Sequence, residues 1–380
     1  MRHLEDYEDA ISRCFHCQIC QAACPVYLQD LLETYCARAR LGLVQAVFLE
    51  QTLKVTPRLR EVMDRCLFCT RCTRHCPAGV PLDDVFALAR ENLGKQLGEQ
   101  GRDGGAWTAP DAGVPGPVAG PLKSGLGEIP AVKGPVRARV AYYPGCATSR
   151  LFQDTGQAVL RVMSENGVQV MIPEGLSCCG FPAYVAGDLH TFRRAMQENL
   201  SILSGLDVDA ILVDCASCGM AFKVKAGEVA KGDGAMEDQA ARVAEKTWEA
   251  TDYLNHLGPV AEPGAVAGVW TYHAPCRIGW TPTAEEAPEA LLQHIPGAQY
   301  EALETTGACC GAGDLFHLRH GELSRSIRTK RLKEIRRNGA HTVVTQCPFC
   351  RYYLQQGGSD LEVMHPLAFL ARAYGEMREA

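Results

Sequence analysis

The chain lacks any run of about 18 apolar residues of the kind that crosses a membrane. Its longest apolar stretch, Leu41 to Leu49, is too short. A direct membrane span is therefore excluded, and membrane contact is left to a partner subunit. Long runs of like charge are also missing, and the formal net charge is −6, so no basic footprint for nucleic acid exists. No dinucleotide fingerprint occurs: the Gly-rich fragment Cys309 to Asp314 departs from GxGxxG, and no Walker-type sequence is found. Flavin or nicotinamide is thus expected on another chain. The first residues, Met1 to Asp9, are acidic and lack the apolar stretch of a secretory signal. The expected location is cytoplasmic, peripheral to a membrane only through a partner.

Cysteine is abundant. Nineteen cysteines in 380 residues, in a reducing compartment, read as metal ligands rather than as a disulfide framework. With 47% hydrophobic residues, the chain has material for two or three cored domains.

The first cysteines form the run Cys14, Cys17, Cys20 and Cys24-Pro25, and the same spacing returns as Cys66, Cys69, Cys72 and Cys76-Pro77. In such runs three cysteines wrap one 4Fe–4S cube, and the fourth, before proline, reaches across to its neighbour. The spacing assigns Cys14, Cys17, Cys20 and Cys76 to one cubane, and Cys66, Cys69, Cys72 and Cys24 to the other. Zinc sites use paired CxxC units, and two triples each followed by Cys-Pro do not fit four-coordinate zinc. His16, Arg71, Arg74 and His75 lie in or beside these runs, as solvated side chains or as groups that tune the clusters' potentials. A short helix over residues 4–13, helical periodicity from Leu31 to Arg65, and a helix opened by Pro81 make this domain, residues 1–95, helical. Cys36 has no spacing partner and reads as a buried thiol.

Residues 96–136 are rich in Gly and Pro and read as a surface linker that Trp107 pins down. Beyond it one module is used twice, over 137–260 and 261–380. Each copy has a cysteine after a proline (Cys146, Cys276), a Cys-Cys-Gly (Cys178-Cys179-Gly180, Cys309-Cys310-Gly311) and a CxxC pair (Cys215/Cys218, Cys347/Cys350). Each copy runs strand, helix, strand, doublet loop, helix, strand and CxxC, an α/β order. Apolar strands lie at Ala138–Tyr143, Val168–Ile172 and Ala210–Val213 and a helix at Thr155–Glu165 in the first copy, with strands at Val266–Tyr272 and Thr342–Thr345 in the second. The cysteines fall just past strand ends, where open α/β sheets gather binding groups. The helix Gly321–Asn338 carries seven cationic side chains, read as a solvated face or as a docking face for an acidic partner. A cysteine nucleophile served by His273 or His317 is the lesser alternative to ligation.

These motifs resemble the heterodisulfide reductase type of iron–sulfur subunit, in which a two-cubane domain joins two cysteine-rich CCG repeats. The resemblance spans nearly the whole chain. It implies two noncubane 4Fe–4S clusters, one held by Cys146, Cys178, Cys179, Cys215 and Cys218, the other by Cys276, Cys309, Cys310, Cys347 and Cys350. The implied function is electron relay through the cubanes to the noncubane pair, for thiol–disulfide redox chemistry. The same architecture occurs in iron–sulfur subunits of glycolate oxidase, lactate oxidase and anaerobic glycerol-3-phosphate dehydrogenase. That likeness implies instead a pure relay between a flavoprotein and a quinone or other acceptor. Expected partners are other redox subunits, a flavoprotein and a membrane subunit among them, and a thiol or disulfide substrate. The chain departs from the family at His273-Ala274-Pro275-Cys276, at Ala216-Ser217 within the first CxxC, and at Ala37-Arg38-Ala39-Arg40. Arg150 and Arg277 are candidates for orienting anionic substrate groups.

Overall fold

Two parallel four-stranded sheets form the carboxyl-terminal part of the chain, and a cap of short helices built from residues 4–97 sits against them. The computed structural model describes residues 3–98, 126, 128–281, 283–314 and 316–375. Most of the linker expected at 96–136, Trp107 included, lies outside the described residues.

The expected lead-in helix is a 3-10 turn, Leu4–Tyr7, followed by a short α-helix, Glu8–Ser12. The interval from Leu31 to Arg65 is broken rather than continuous. It holds α1 (Ala37–Val44), a π-helical turn at Gln45–Leu49 and α2 (Pro57–Asp64). Thr56 caps α2 by accepting from the Leu59 amide, and Pro57 fills the first helical position, where its missing N–H has no cost. Cys36 caps α1: its sulfur accepts the Ala39 amide at 3.5 Å, a task more often given to serine. The long helix α3 (Leu82–Gln96) buries Val85, Phe86, Ala89 and Leu93 against α1 and α2.

Repeat 1 begins with β1 (Ala138–Tyr143), then α4 (Gln153–Glu165), β2 (Val168–Met171), α5 (Leu189–Leu203), β3 (Ala210–Val213) and β4 (Thr247–Glu249). The sheet order is β2-β1-β3-β4, all parallel. Repeat 2 follows with β5 (Gly268–Tyr272), β6 (Ala298–Tyr300), α6 (Gly321–Arg337), β7 (Thr342–Val344), β8 (Glu362–Met364) and α7 (Pro366–Ala373). Its order, β6-β5-β7-β8, copies the first. Each repeat therefore has a fourth strand beyond the expected three. The repeats also share a core: α4 packs on α7, and Tyr142, Leu160 and Leu212 lie in one apolar cluster with Trp270, Leu367 and Phe369. The end of the linker is fastened to this unit. Leu126 is buried against Gly156, and the Lys133 amide donates to the Ser164 carbonyl.

Candidate metal centres

In each sheet the strand order reverses direction between its first and third strands in sequence, β1/β3 and β5/β7, which opens a crevice at their carboxyl ends. Cys146 follows β1 and Cys215 follows β3; Cys276 follows β5 and Cys347 follows β7. The doublets are brought to the same crevices by a turn that only glycine completes easily. Gly180 has φ +71° and Gly311 has φ +95°, and each packs against the following helix. A methyl group on Gly311 would lie 2.7 Å from the Ser324 carbonyl oxygen, and one on Gly180 2.9 Å from Ala195 Cβ. This explains the third residue of each Cys-Cys-Gly.

The five sulfurs of each repeat come together. In repeat 1 Cys178 lies 3.6 Å from Cys146, and Cys218 lies 3.5 Å from Cys179. In repeat 2 Cys310 lies 3.4 Å from Cys350, and Cys276 contacts Cys309. Backbone amides turn toward the doublets: Gly180 N–H donates to Cys178, Gly311 N–H to Cys309 and Ala312 N–H to Cys310. The two quintets meet where Cys215 contacts Cys347, and the Ala216 amide donates to the Gln346 carbonyl beside them. The ten sulfurs thus form one continuous series from Cys146 to Cys276. The repeat 1 cavity, lined by its five cysteines, is closed by Asp314, Pro348 and Phe349 of repeat 2.

In the helical cap, Cys24, Cys66, Cys69 and Cys72 line a single cavity with Phe68 and Phe86. Burial and then the charge of Cys276 push the Cys69 thiol up, so this set adjoins the repeat 2 quintet. Cys14 and Cys17 lie around Cys20, whose thiol is raised to about 11 by burial and by neighbouring sulfur charges. The foremost of those neighbours is Cys36, which spacing left without a partner. Cys76 accepts the Val80 amide at 3.4 Å and packs on the apolar core that also takes Cys14, Cys20, Cys66 and Cys72. The two loops share a backbone signature. His16 and Gln18 in the first, and Phe68 and Thr70 in the second, occupy the left-handed region with φ between 50° and 66°. None is glycine, so the strain is carried by the fold.

The arginines expected near substrate or clusters mostly hold domains together. Arg277 is buried, donates to the Leu67 and Phe68 carbonyls of the cap and to Ser217 Oγ, and pairs with Asp314 at 2.7 Å. With these donors engaged it is a bracket between cap and repeats, not a substrate ligand. Arg71 donates to the carbonyls of Ala23, Thr306 and Gly307, and Arg74 pairs with Glu285. His75 Nδ1 lies 2.8 Å from the Arg71 carbonyl. Arg150 is exposed and close enough to Cys178 to favour its thiolate.

Two interior networks escaped sequence reasoning. Lys225, in repeat 1, is buried and lies 2.7 Å from Asp83 and 2.8 Å from Asp84 of α3. Tyr184 donates to Asp84 and Thr73 to Asp83. The other joins Arg331 Nε to His273 Nδ1 at 3.0 Å. Arg331 belongs to the cationic helix α6, yet it is 2% exposed because it falls on the Ile327, Leu332 and Ile335 stripe. That position in the stripe was the available signal. Burial, then the Arg331 charge, holds His273 neutral. A nitrogen of His273 and the sulfurs of Cys310 and Cys350 all lie within 4.8 Å of one another. His317 packs on Tyr352 and Tyr353, its Nδ1 3.2 Å from the Ala312 carbonyl.

The donor set fits iron–sulfur chemistry: cysteine sulfurs gathered in two largely buried quintets and around a cavity of the cap, with amide N–H groups aimed at sulfur. Comparison with known proteins agrees. Residues 10–80 match the 4Fe-4S dicluster domain, and residues 140–223 and 270–355 each match the cysteine-rich domain. A probable glycolate oxidase iron-sulfur subunit of Bacillus subtilis is 24% identical, over 92% of this chain and 89% of its own length. A subunit of a fumarate reductase (CoM/CoB) from Methanothermobacter marburgensis is 26% identical, over 98% of this chain and 74% of that one. Lactate utilization protein A of Geobacillus thermodenitrificans is 28% identical, over 52% of this chain and 82% of its own. Among solved structures, a hypothetical protein from Helicobacter pylori shares the fold, with a TM-score of 0.57 at 11% identity. That likeness covers 99% of this chain and 76% of the other. Among the described residues no helix is long and apolar enough to cross a membrane.

Proposed function

The chain carries a 4Fe-4S dicluster domain and two cysteine-rich domains, and from that premise we propose that it serves thiol–disulfide redox chemistry as the electron-transfer subunit of an oxidoreductase. Cys14, Cys17, Cys20 and Cys76 would hold one cubane, and Cys24, Cys66, Cys69 and Cys72 the other. The quintets of Cys146, Cys178, Cys179, Cys215 and Cys218, and of Cys276, Cys309, Cys310, Cys347 and Cys350, would hold two noncubane clusters. When bound, such clusters exchange single electrons at potentials set by their ligands and hydrogen bonds.

The observation that carries this reading is the placement of the cysteine sets in series. The Cys24 set adjoins repeat 2 through Cys69 and Cys276, and repeat 2 adjoins repeat 1 through Cys347 and Cys215. Two complete quintets side by side suit a reaction that needs two electrons and two sulfur sites at once, as disulfide cleavage does. The brackets made by Arg71, Arg74 and Arg277 hold the cap against repeat 2, which keeps those distances fixed. A flavoprotein or a membrane subunit would supply or accept the electrons.

A second reading rests on Arg277. Its burial in a bracket removes one candidate anion-binding group from the crevice, which favours a pure relay like that implied by the glycolate oxidase likeness. Anaerobic reconstitution separates zinc from iron: full loading of the four sites gives roughly sixteen irons and equal sulfide per chain. Half that iron would sink the assignment of one pair. A half-oxidised sample is then given small thiols. A new paramagnetic signal that vanishes in Cys178→Ser and Cys309→Ser supports thiol chemistry. No thiol-dependent signal, with fast reduction by a partner flavoprotein, establishes the relay.

A further inference from the structure

The two quintets share a plan but not their surroundings, and the difference sits three residues ahead of the first cysteine of each. Repeat 1 has Tyr143 there and repeat 2 has His273. Both are completely buried. Tyr143 donates its hydroxyl to the Ser177 carbonyl at 2.6 Å. His273 has no such outlet. Its Nδ1 receives Arg331 Nε, and a guanidinium carries donors only, so Nδ1 must present its lone pair. In a neutral imidazole the proton then resides on Nε2. That nitrogen is buried and has no hydrogen-bond partner among the described residues.

Arg331 repeats the pattern. Its Nε serves His273, its Nη1 donates to the Thr305 carbonyl and to Glu334, and its Nη2 is buried without a hydrogen-bond partner among the described residues. The sulfur charges that act on this guanidinium are those of Cys310 and Cys350, the same two that lie within 4.8 Å of a His273 nitrogen. In repeat 1 the corresponding helix supplies Asn199, whose amide is spent on Ser177, Cys178 and Ala195. Among the described residues of repeat 1, the unpaired buried donor lining the cysteine cavity is the single hydroxyl of Thr148, against a pair of nitrogen donors beside Cys310 and Cys350 in repeat 2. Buried donors left unpaired by protein mark a missing acceptor.

We propose that His273 Nε2–H and Arg331 Nη2–H form a donor pair for the sulfur face of repeat 2 at Cys310 and Cys350, and make that site easier to reduce than repeat 1. This rests on the reading that both quintets hold clusters. The physical cause is that an N–H donated to sulfur stabilises the added negative charge of the reduced state more than the oxidised one. The same geometry denies His273 a ligand role, because its Nδ1 lone pair is taken by Arg331 and its Nε2 carries the proton. His273 is thus a positioning and tuning residue rather than an iron ligand. Its place in the series is also apt: repeat 2 adjoins the cap set through Cys69, so the easier-to-reduce site is the first reached from the cubanes.

The test is an anaerobic redox titration of the reconstituted full chain followed by paramagnetic resonance, with iron counted in every sample. The variants are His273→Phe, His273→Gln and, in repeat 1, Tyr143→Phe. Iron content of the unaltered chain checks the underlying reading first: if repeat 2 binds none, that reading fails and this inference with it. With iron bound, His273→Phe is expected to keep its iron and shift the repeat 2 equilibrium toward the oxidised form tenfold or more, which is 59 mV or more for a one-electron couple. Gln keeps an acceptor for Arg331 and an N–H donor, so His273→Gln should recover most of the shift. Tyr143→Phe should leave the repeat 1 midpoint unchanged. An unchanged midpoint in iron-loaded His273→Phe would overturn the proposal. Selective loss of repeat 2 iron in both His273 variants would overturn it differently, by making His273 a ligand.

Discussion

Replacing Lys225 with Met should loosen the cap from the repeats. The ammonium lies between Asp83 and Asp84 at 2.7 and 2.8 Å, with side chains 3%, 3% and 12% exposed. Removing it leaves two carboxylates facing each other in the interior, and breaking a buried pair in this way costs about 3–5 kcal/mol. At about 1.4 kcal/mol per tenfold, that is roughly two to four powers of ten in the local opening equilibrium of α3. Hydrogen exchange of the α3 amides reads this opening directly. The triple change Asp83→Asn, Asp84→Asn and Lys225→Met removes the uncompensated charge and should restore most of the protection, since neutral replacements of buried ion networks are tolerated. The pH dependence follows from the same three groups. Burial opposes the Lys225 charge, but Asp83 and Asp84 override it and raise its pKa, so its contribution is complete below 10.5 and is lost as pH climbs through the folded value. Burial also opposes ionisation of Asp83, yet Lys225 holds it below 3.8, so its contribution is lost as the medium is acidified through the folded value. Asp84 is pushed up by burial, so its ionisation weakens the network as pH rises through its folded pKa. Protection of α3 should be greatest between the acid and alkaline limits. Exchange in Lys225→Met within tenfold of the unaltered chain, or a triple variant as open as the single, would refute this account of the interface.

The cap cysteines give a second comparison. Cys36→Ser should keep full iron content and the α1 cap, because serine accepts the Ala39 amide at least as well. Cys76→Ser should lower iron in the cap, and equal losses from both would remove the crossed assignment. In repeat 2, Gly311→Ala must place a methyl group 2.7 Å from a backbone oxygen at φ +95°, costing on the order of 2 kcal/mol or more in denaturant unfolding. Gly42→Ala, inside α1 with no atom within 4 Å of the new methyl, should instead gain about 0.5–1 kcal/mol.

Much of this molecule was legible without coordinates because cysteine spacing is a local code. The Cys-x2-Cys runs, the doublets and the CxxC pairs each act within a single turn, and the strands Ala138–Tyr143 and Ala210–Val213 announce themselves as short apolar runs. Duplication was equally plain, since it needs only comparison of the sequence with itself. Other features depended on partners far along the chain. β4 and β8 have three residues each, too few to show a period, and they exist because the sheet edge offers a strand to pair with. The left-handed residues His16, Gln18, Phe68 and Thr70 carry no glycine signal, because the cluster loops rather than local preference set their backbone. Arg277 and Arg331 look like surface cations in the sequence, and only the tertiary structure turns them inward, against the cap carbonyls and against His273. Sequence thus determined which sulfurs exist and their local spacing. The fold decided which cysteines are neighbours, because adjacency comes from a shared core and from buried polar contacts, an ion pair and a hydrogen bond to a backbone carbonyl, that join residues more than a hundred positions apart.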